Sequence, residues 1–296
     1  MLDPGDLAAG EVNSLRAGIA TAAMVTTVSP GFVREIVTPE RGRGLDTALR
    51  ARGDRLVGIL NGIGDDWHPA TDPRLPRTYG PGDLEGKAVN TAALRTRFEL
   101  ADRSGVPVLG IVSRMDHQKG FGLLGGTLPP LLAAHRAQLA VIGTGDPGIE
   151  GLFRSLADRF PGEAGYLRAF DLDVAHLIEA GADLFLMPSV FEPSGLNQMY
   201  SLRYGTVPVV HRTGGLADSV EPWDVASGSG TGFLFAPHTE AAFAAALEEG
   251  LRAFADGDAW RRLVGNGMER DFSWEARVGE YRRVYRRAAD PAVLDQ

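Results

Sequence analysis

The 296-residue chain contains no cysteine. That excludes disulfides, thiolate metal sites and a thiol nucleophile together, and it fits a reducing compartment. No run approaches the ~20 apolar residues that span a bilayer. The opening "MLDPGDLAAGEVNSLRAG" has no apolar stretch of signal-peptide length. The chain therefore reads as cytoplasmic, with no membrane partner. Cations are in the minority, 30 Lys and Arg against 38 Asp and Glu, for a net charge of -8. Binding to nucleic acid needs a basic face, so no nucleic-acid partner is expected. Any phosphate must be met by a local cluster of cations. The six histidines show no His-x-x-x-His spacing, and no G-x-S-x-G nucleophile elbow occurs, so no metal centre is expected.

What is present is a soluble globular composition, 44% hydrophobic and 23% charged. The length suits one large domain or two ordinary ones. From residue 107 onward, short apolar runs alternate with stretches of helical period. Strands are expected at 108–113, 138–143, 165–170, 183–188, 206–210 and 232–235. Helices are expected near 120–135, 147–160, 173–181, 195–205 and 214–221. Continuous apolar strands are buried on both faces, as in parallel sheets, and the alternation predicts a doubly wound α/β sheet. Two further strands fall at 24–30 and 55–62. "DDWHPATDPRLPRTYGPGD" reads as a long irregular connection. Helix returns at 83–102, 239–256, 259–269 and 274–288.

Several turns after strands carry chemistry. "SRMDHQKG" places Arg114 and Lys119 just past "VLGIV", where a parallel sheet opens its ligand crevice. They are either two solvated cations or a fork and a compact charge aimed at an anion. In "FEPSGLNQMYSLRYG", Pro193 holds Glu192 extended and Ser194 suits the N-cap of a helix. The Gly195 and Leu196 amides then form an anion or hydroxyl site, or merely a capping turn. In "HRTGGLADS", Gly214 and Gly215 allow close backbone approach at another helix start, or form a tight turn. "GTGDPG" at 143–148 fits G-x-G-x-x-G. Asp146 there would repel a pyrophosphate, and Asp146–Pro147 looks like a helix start, so a nicotinamide-binding reading ranks low.

Together "VSRMDHQKG", "GADLFLMPSVFEPSGLNQMYSLRYGTVPVV", "RTGGLADSV", "TTVSPGFVREI", "LNGI" and "DFSWEARVGEYRRVY" resemble the bacterial glycogen synthase and plant starch synthase family. These are retaining glycosyltransferases of the GT-B fold, with two Rossmann-like domains facing across a cleft. The resemblance implies ADP-glucose as donor, an α-1,4-glucan as acceptor at its non-reducing end, and no metal or other cofactor. It implies Arg114, Lys119 and Glu192 as the catalytic set, the two cations on the diphosphate and the acid near the sugar. It implies donor contacts from Asn61, Phe170, Ser194, Gly195, Leu196, Tyr200, Thr213, Gly214 and Gly215. Phe170 stands where the family has an adenine-stacking tyrosine, and Ser194 where it has a cysteine. Tyr200 stands eight residues after Glu192, where related E-x7-E families carry a second acid.

The resemblance also divides the chain. Residues 1–62 are expected as a remnant of the acceptor-side domain, 63–272 as a complete Rossmann-like parallel-sheet domain, and 273–296 as a helix crossing back. No K-x-GGL loop precedes them, the one GGL being at 214–216. Two readings stay open, an ADP-glucose-dependent glucosyltransferase and a nucleotide-sugar-binding module that needs a separate N-terminal half.

Overall fold

The computed structural model describes residues 13–290. It opens with α1 (Ser14–Thr21), β1 (Val25–Thr27), α2 (Pro30–Ile36), the short α3 (Pro39–Gly42) and α4 (Asp46–Arg50), and β2 (Leu56–Gly58). β1 and β2 pair in parallel, Val25 opposite Leu56. The Pro-, Asp- and Gly-rich stretch leads to α5 (Glu85–Arg97). Then follow β3 (Val108–Val112), α6 (Leu124–Ala133), β4 (Gln138–Ile142), α7 (Pro147–Arg159), β5 (Ala164–Leu167) and α8 (Leu172–Gly181). The alternation continues with β6 (Leu184–Met187), α9 (Asn197–Arg203), β7 (Val207–His211), α10 (Gly214–Ser219) and β8 (Phe233–Phe235). Helices α11 (Glu240–Ala255), α12 (Gly257–Met268) and α13 (Trp274–Ala288) close the described chain.

The larger sheet has six strands in the order β5-β4-β3-β6-β7-β8, parallel at every pairing. The expected parallel α/β class holds. The strands are apolar throughout because alternate side chains enter two different cores. Leu139 and Val141 pack with Phe153, Leu156 and Leu247 on one face. Ala140 and Ile142 pack with Leu94 and Ile178 on the other. The chain runs outward from β3 to β5, then crosses back to restart beside β3 with β6. At that switch point the loops diverge and a crevice opens beyond the strand ends.

Local signals set most helix starts. Asp146 accepts from the Gly148 and Ile149 amides ahead of Pro147, and Ser273 accepts from Ala276. Ser194 departs from expectation. Helix α9 begins at Asn197, with Leu196 at its N-cap and no capping side chain. Gly195 takes a left-handed φ of 67°, and the Ser194 hydroxyl turns to the Gly195 carbonyl instead, at 3.3 Å.

The segment around β1 and β2 rests on the larger unit through α2 against α10. Helix α13 returns to it, with Arg287 Nη2 2.7 Å from Asp54 Oδ2. Of the expected units 1–62 and 273–296, residues 1–12 and 291–296 lie outside the described residues. Among the described residues no helix is long and apolar enough to cross a membrane.

A buried polar cluster ties α5, α8 and the α9–β7 turn together. Lys87 donates Nζ to Thr206 Oγ1 (2.8 Å) and to the Ala180 and Tyr204 carbonyls (3.1 and 3.2 Å). Nearby Glu179 accepts from Ser201 Oγ at 2.6 Å. Burial pushes the Lys87 ammonium down to about 8 and the Glu179 carboxyl up to about 8. The raised Glu179 value means the folded state holds a proton that the unfolded state releases. Its contribution is complete below the ordinary carboxylate value of 4.5 and is lost as pH rises through about 8. Glu179→Gln keeps a neutral partner for Ser201. Thermal unfolding at pH 5, 6.5 and 8 should show E179Q gaining on the parent as pH rises, by on the order of a few kcal/mol. Parallel stability profiles for the two proteins would contradict this.

Candidate active site

A cavity of about 490 Å³ opens beyond the ends of β3, β4 and β6. After β3 the chain adds a single parallel bridge, Met115 to Gly145, which carries it beside the β4 loop. Asp116 accepts from the Gln118 amide at 2.8 Å and starts one tight turn, His117–Lys119. Gly120 ends that turn at φ 71°, and a Cβ there would lie 1.8 Å from the Pro188 carbonyl oxygen. Only glycine lets the turn press this closely against the β6 loop. Lys119 is thereby aimed across the crevice.

The opposite wall is the loop 188–195, which follows β6. Its carbonyls have no ladder to bond to, and each must find a donor elsewhere. His238 Nε2 and His211 Nδ1 lie 2.7 and 2.8 Å from the Pro188 and Ser189 oxygens. Arg41 Nη2 reaches the Val190 oxygen and Gln118 Nε2 that of Phe191, both at 3.3 Å. The Gly215 N–H reaches the Glu192 oxygen at 3.0 Å, and Ser29 Oγ reaches that of Pro193 at 2.6 Å. Gln198 Nε2 donates to the Ser194 and Gly195 oxygens, at 3.0 and 3.2 Å. Burial pushes the His211 imidazole below its ordinary value, which keeps it neutral with Nδ1–H facing Ser189.

So held, Glu192 meets Lys119 with Oε2 2.6 Å from Nζ. The two side chains are only 10% and 20% exposed. Ser189 Oγ adds a longer bond to the same oxygen, at 3.3 Å. An ammonium has further donors to offer while it holds Glu192. Arg114 is different. Its side chain is 72% exposed, with Asp116 at 3.8 Å. The cavity thus has one largely buried ion pair and one exposed guanidinium that can turn toward an anion.

Arg114, Lys119, Glu192, Gly195, Leu196 and Phe170 come together on the cavity wall. Phe170 is 88% exposed at the rim, its ring open to a flat partner. Asn61, Ser194, Tyr200, Thr213, Gly214 and Gly215 do not line it. Tyr200 is stacked on Trp67 at 4.2 Å, and Ser194 is buried. Thr213 Oγ1 and the Gly214 N–H both donate to Glu35 Oε1, each at 2.7 Å. The anion at that turn is therefore a side chain of the same chain. The 143–145 loop is filled in the same way. Glu150 accepts from the Gly145 amide (2.9 Å), Arg168 Nε (2.6 Å) and Thr144 Oγ1 (2.9 Å), bonds that hold its carboxyl down at about 2. The Gly145 amide and the Thr144 hydroxyl are thereby already engaged.

Two wall residues went unnoticed in the sequence. Asn197 donates Nδ2 to the Val112 carbonyl at 2.7 Å and ties the start of α9 to the end of β3. Its place in "SGLNQ", beside the turn already singled out, was a usable signal. Trp67 is sandwiched between His176 (3.6 Å) and Tyr200 (4.2 Å), and Asp72 fixes His176 at 2.6 Å. Nothing in the irregular connection announces this stack. Among the described residues no group of three His, Cys, Asp or Glu side chains could hold a metal ion.

Comparison with known proteins bears on this geometry. The family model described as glycosyl transferases group 1 matches residues 106–253, and that of the starch synthase catalytic domain matches residues 4–51. The chain is 49% identical over 280 residues to a glycogen synthase of Anaeromyxobacter dehalogenans (strain 2CP-C), covering 94% of this chain and 58% of the relative. It is 48% identical over 281 residues to a glycogen synthase of Thioalkalivibrio sulfidiphilus, with the same two coverages. Among solved structures, the catalytic domain of starch synthase IV from Arabidopsis thaliana, bound to ADP and acarbose, superposes with a TM-score of 0.87 at 36% identity. That match covers 94% of this chain and 58% of the other. The chain thus spans a little under three fifths of the length of these relatives. Sucrose-phosphate synthase from Thermosynechococcus elongatus, 22% identical with a TM-score of 0.62 over 94% of this chain and 62% of that one, shares the fold. With one family model spanning the core of the sheet domain and glycogen and starch synthases as its relatives, the chain belongs to the group 1 glycosyl transferases.

Proposed function

We propose that the chain is the donor-binding part of a glycogen synthase, which transfers glucose from ADP-glucose to the non-reducing end of an α-1,4-glucan with retention. The observation that carries this reading is the Lys119–Glu192 pair at 2.6 Å, with Arg114 and Phe170 on the wall of the same cavity. Phe170 offers its face to adenine. Arg114 and Lys119 take the diphosphate. Glu192 and the turn at Gly195–Leu196 face the glucosyl group. In transfer, the bond from the sugar's anomeric carbon to the phosphate oxygen breaks, and ADP leaves with the electron pair. The acceptor hydroxyl bonds to the anomeric carbon on the same face and gives up its proton to the departing phosphate oxygen. The two cations stand where negative charge develops on the leaving group, a preorganised electrostatic role. No metal is expected in this scheme, since side-chain cations meet the charge. Asn61, Tyr200 and Ser194 would act from behind the wall. The cytoplasm is the proposed location, and a separate N-terminal half is a proposed further partner.

Arg114→Ala and Lys119→Ala should each weaken ADP binding by about 1.5–3 kcal/mol, the range for hydrogen bonds to charged groups. Lys119→Ala also strands a nearly buried carboxylate, so it should lower the melting temperature as well. Titration calorimetry showing parental ADP affinity in both variants would remove the diphosphate from this cavity.

Glu192→Gln keeps the shape of the wall and frees Lys119 from its carboxylate. ADP should bind no more weakly than to the parent, while ADP-glucose loses affinity. Equal losses for the two ligands would take Glu192 out of the sugar site.

Transfer also needs a glucan held against the donor, and that positioning can be worth ~7–11 kcal/mol of barrier. The relatives are longer than this chain, and the acceptor side is assigned to the part it does not share with them. A polypeptide of these 296 residues should therefore bind ADP yet move almost no radiolabelled glucose from ADP-glucose into glycogen. Supplying the remaining N-terminal part of a close relative, fused or in trans, should restore incorporation. Robust incorporation by the 296 residues alone would place the acceptor site within them.

A further inference from the structure

The turn Thr213–Gly215 has the donors of an anion site, and the carboxylate of Glu35 fills it. Glu35 sits near the end of α2, and its Oε1 takes both the Thr213 hydroxyl and the Gly214 N–H. Its other oxygen, Oε2, is shielded from water and has no partner. The carboxylate is therefore fixed through Oε1 alone, by the two bonds it accepts from the turn. The turn in turn lies directly on the loop that carries Glu192. A Cβ on Gly214 would come within 2.2 Å of the Glu192 carbonyl oxygen, and one on Gly215 within 2.2 Å of that of Ser194. Across this contact the Gly215 N–H holds the Glu192 carbonyl at 3.0 Å. Ser29, the fully buried N-cap of the same α2, holds the next carbonyl, that of Pro193. Helix α2 therefore holds two successive peptides of this loop, that after Pro193 directly by Ser29 and that after Glu192 through the glycine turn fixed by Glu35. Glu35 itself does not line the cavity.

We propose that Glu35 is a positioning residue for Glu192. By fixing the 213–215 turn it sets where the Glu192 carboxylate stands relative to Lys119, and so how well the site distinguishes a sugar nucleotide from the bare nucleotide. The inference rests on the donor-site reading above and deepens it. It gives the segment 25–58 a share in sugar recognition that it exerts from outside the cavity. A wall group held by a supporting layer of bonds loses its geometry when that layer is removed, even though no ligand contact is deleted.

The test is titration calorimetry of ADP and ADP-glucose against the parent chain and four variants, with melting temperatures recorded for each. Glu35→Ala should lose on the order of tenfold in ADP-glucose affinity and keep its ADP affinity. Glu35→Gln still presents a carbonyl acceptor to Thr213 and Gly214, and should recover most of that loss. Ser29→Ala, which releases the neighbouring carbonyl, should show a sugar-specific loss of its own. Arg34→Ala removes only an ion pair between an exposed arginine and Asp218 (3.1 Å) from the same helix, and should leave both affinities as they are. Loss of both ligands alike in Glu35→Ala, a loss that Gln does not rescue, or no loss at all overturns the proposal. If Glu35→Ala does not fold, the decision passes to Glu35→Gln and Ser29→Ala. Unchanged sugar discrimination in Ser29→Ala, or discrimination lost in Glu35→Gln, then overturns it. A parent chain that binds no ADP defeats the donor-site reading and this inference with it. Intact ADP binding with unaltered discrimination defeats the inference alone.

Discussion

The site depends on one constraint, that the carbonyls of the loop 188–195 leave the sheet with no strand to pair with and must find donors elsewhere. Unpaired and away from water, such a carbonyl costs on the order of 1–3 kcal/mol. The donors come from seven residues spread between positions 29 and 238: Ser29, Arg41, Gln118, Gln198, His211, Gly215 and His238. The loop is therefore rigid only when those pieces are assembled. Glu192 acquires its direction, and its pairing with Lys119, from the completed structure.

Charge is distributed by the same logic. Two glycine-containing turns at strand ends could each receive an anion. The chain supplies it both times, Glu150 to the 143–145 loop and Glu35 to the 213–215 turn. Those carboxylates engage backbone and hydroxyl donors at both turns, while Arg114 and Lys119 stand on the wall of the cavity. The chain has only two lysines, Lys87 and Lys119. Both have their ammonium withdrawn from water, one among carbonyls and a hydroxyl, the other against Glu192. Arginine serves elsewhere, as the planar, weakly hydrated cation. At the cavity the two kinds divide the work. Lys119 is a fixed point charge within the wall, and Arg114 is an exposed fork that can swing to meet a ligand.

The back of the cavity is closed by the aromatic stack His176–Trp67–Tyr200. Near-parallel rings, with centroids 3.6 and 4.2 Å apart, fill the gap between α8 and α9. Asp72 bonds both His176 and the Tyr204 hydroxyl, at 2.6 and 2.7 Å, and so secures the irregular 59–84 connection to the sheet domain. A long connection with few helices or strands of its own becomes part of the wall because its polar groups are paired inside the fold.

Much was legible without coordinates. Apolar runs of strand length and the helical period between them place five strands of the large sheet within one residue, and the weaker run at 165–170 overshoots the end of β5 by three. Asp146–Pro147 announces a helix start, because a cap is a local bond between near neighbours. The positions of Arg114, Lys119 and Glu192 just past strand ends are local facts too, and a parallel sheet brings such ends to one edge. What was not legible has the opposite character. Ser194 looks like a cap, yet Gly195 in a left-handed turn delays the helix to Asn197. Thr213, Gly214 and Gly215 look like a phosphate loop, and only the approach of α2 from 178 residues earlier shows that Glu35 already occupies it. Trp67 carries no pattern at all, since its neighbours in the stack lie on two distant helices. The sequence by itself determined the elements, their order and the residue types at each strand end, because periodicity, capping and chain direction are short-range. The tertiary structure decided which donor meets which acceptor, because a buried carbonyl or carboxylate is satisfied by whatever the packed fold brings within 3 Å of it.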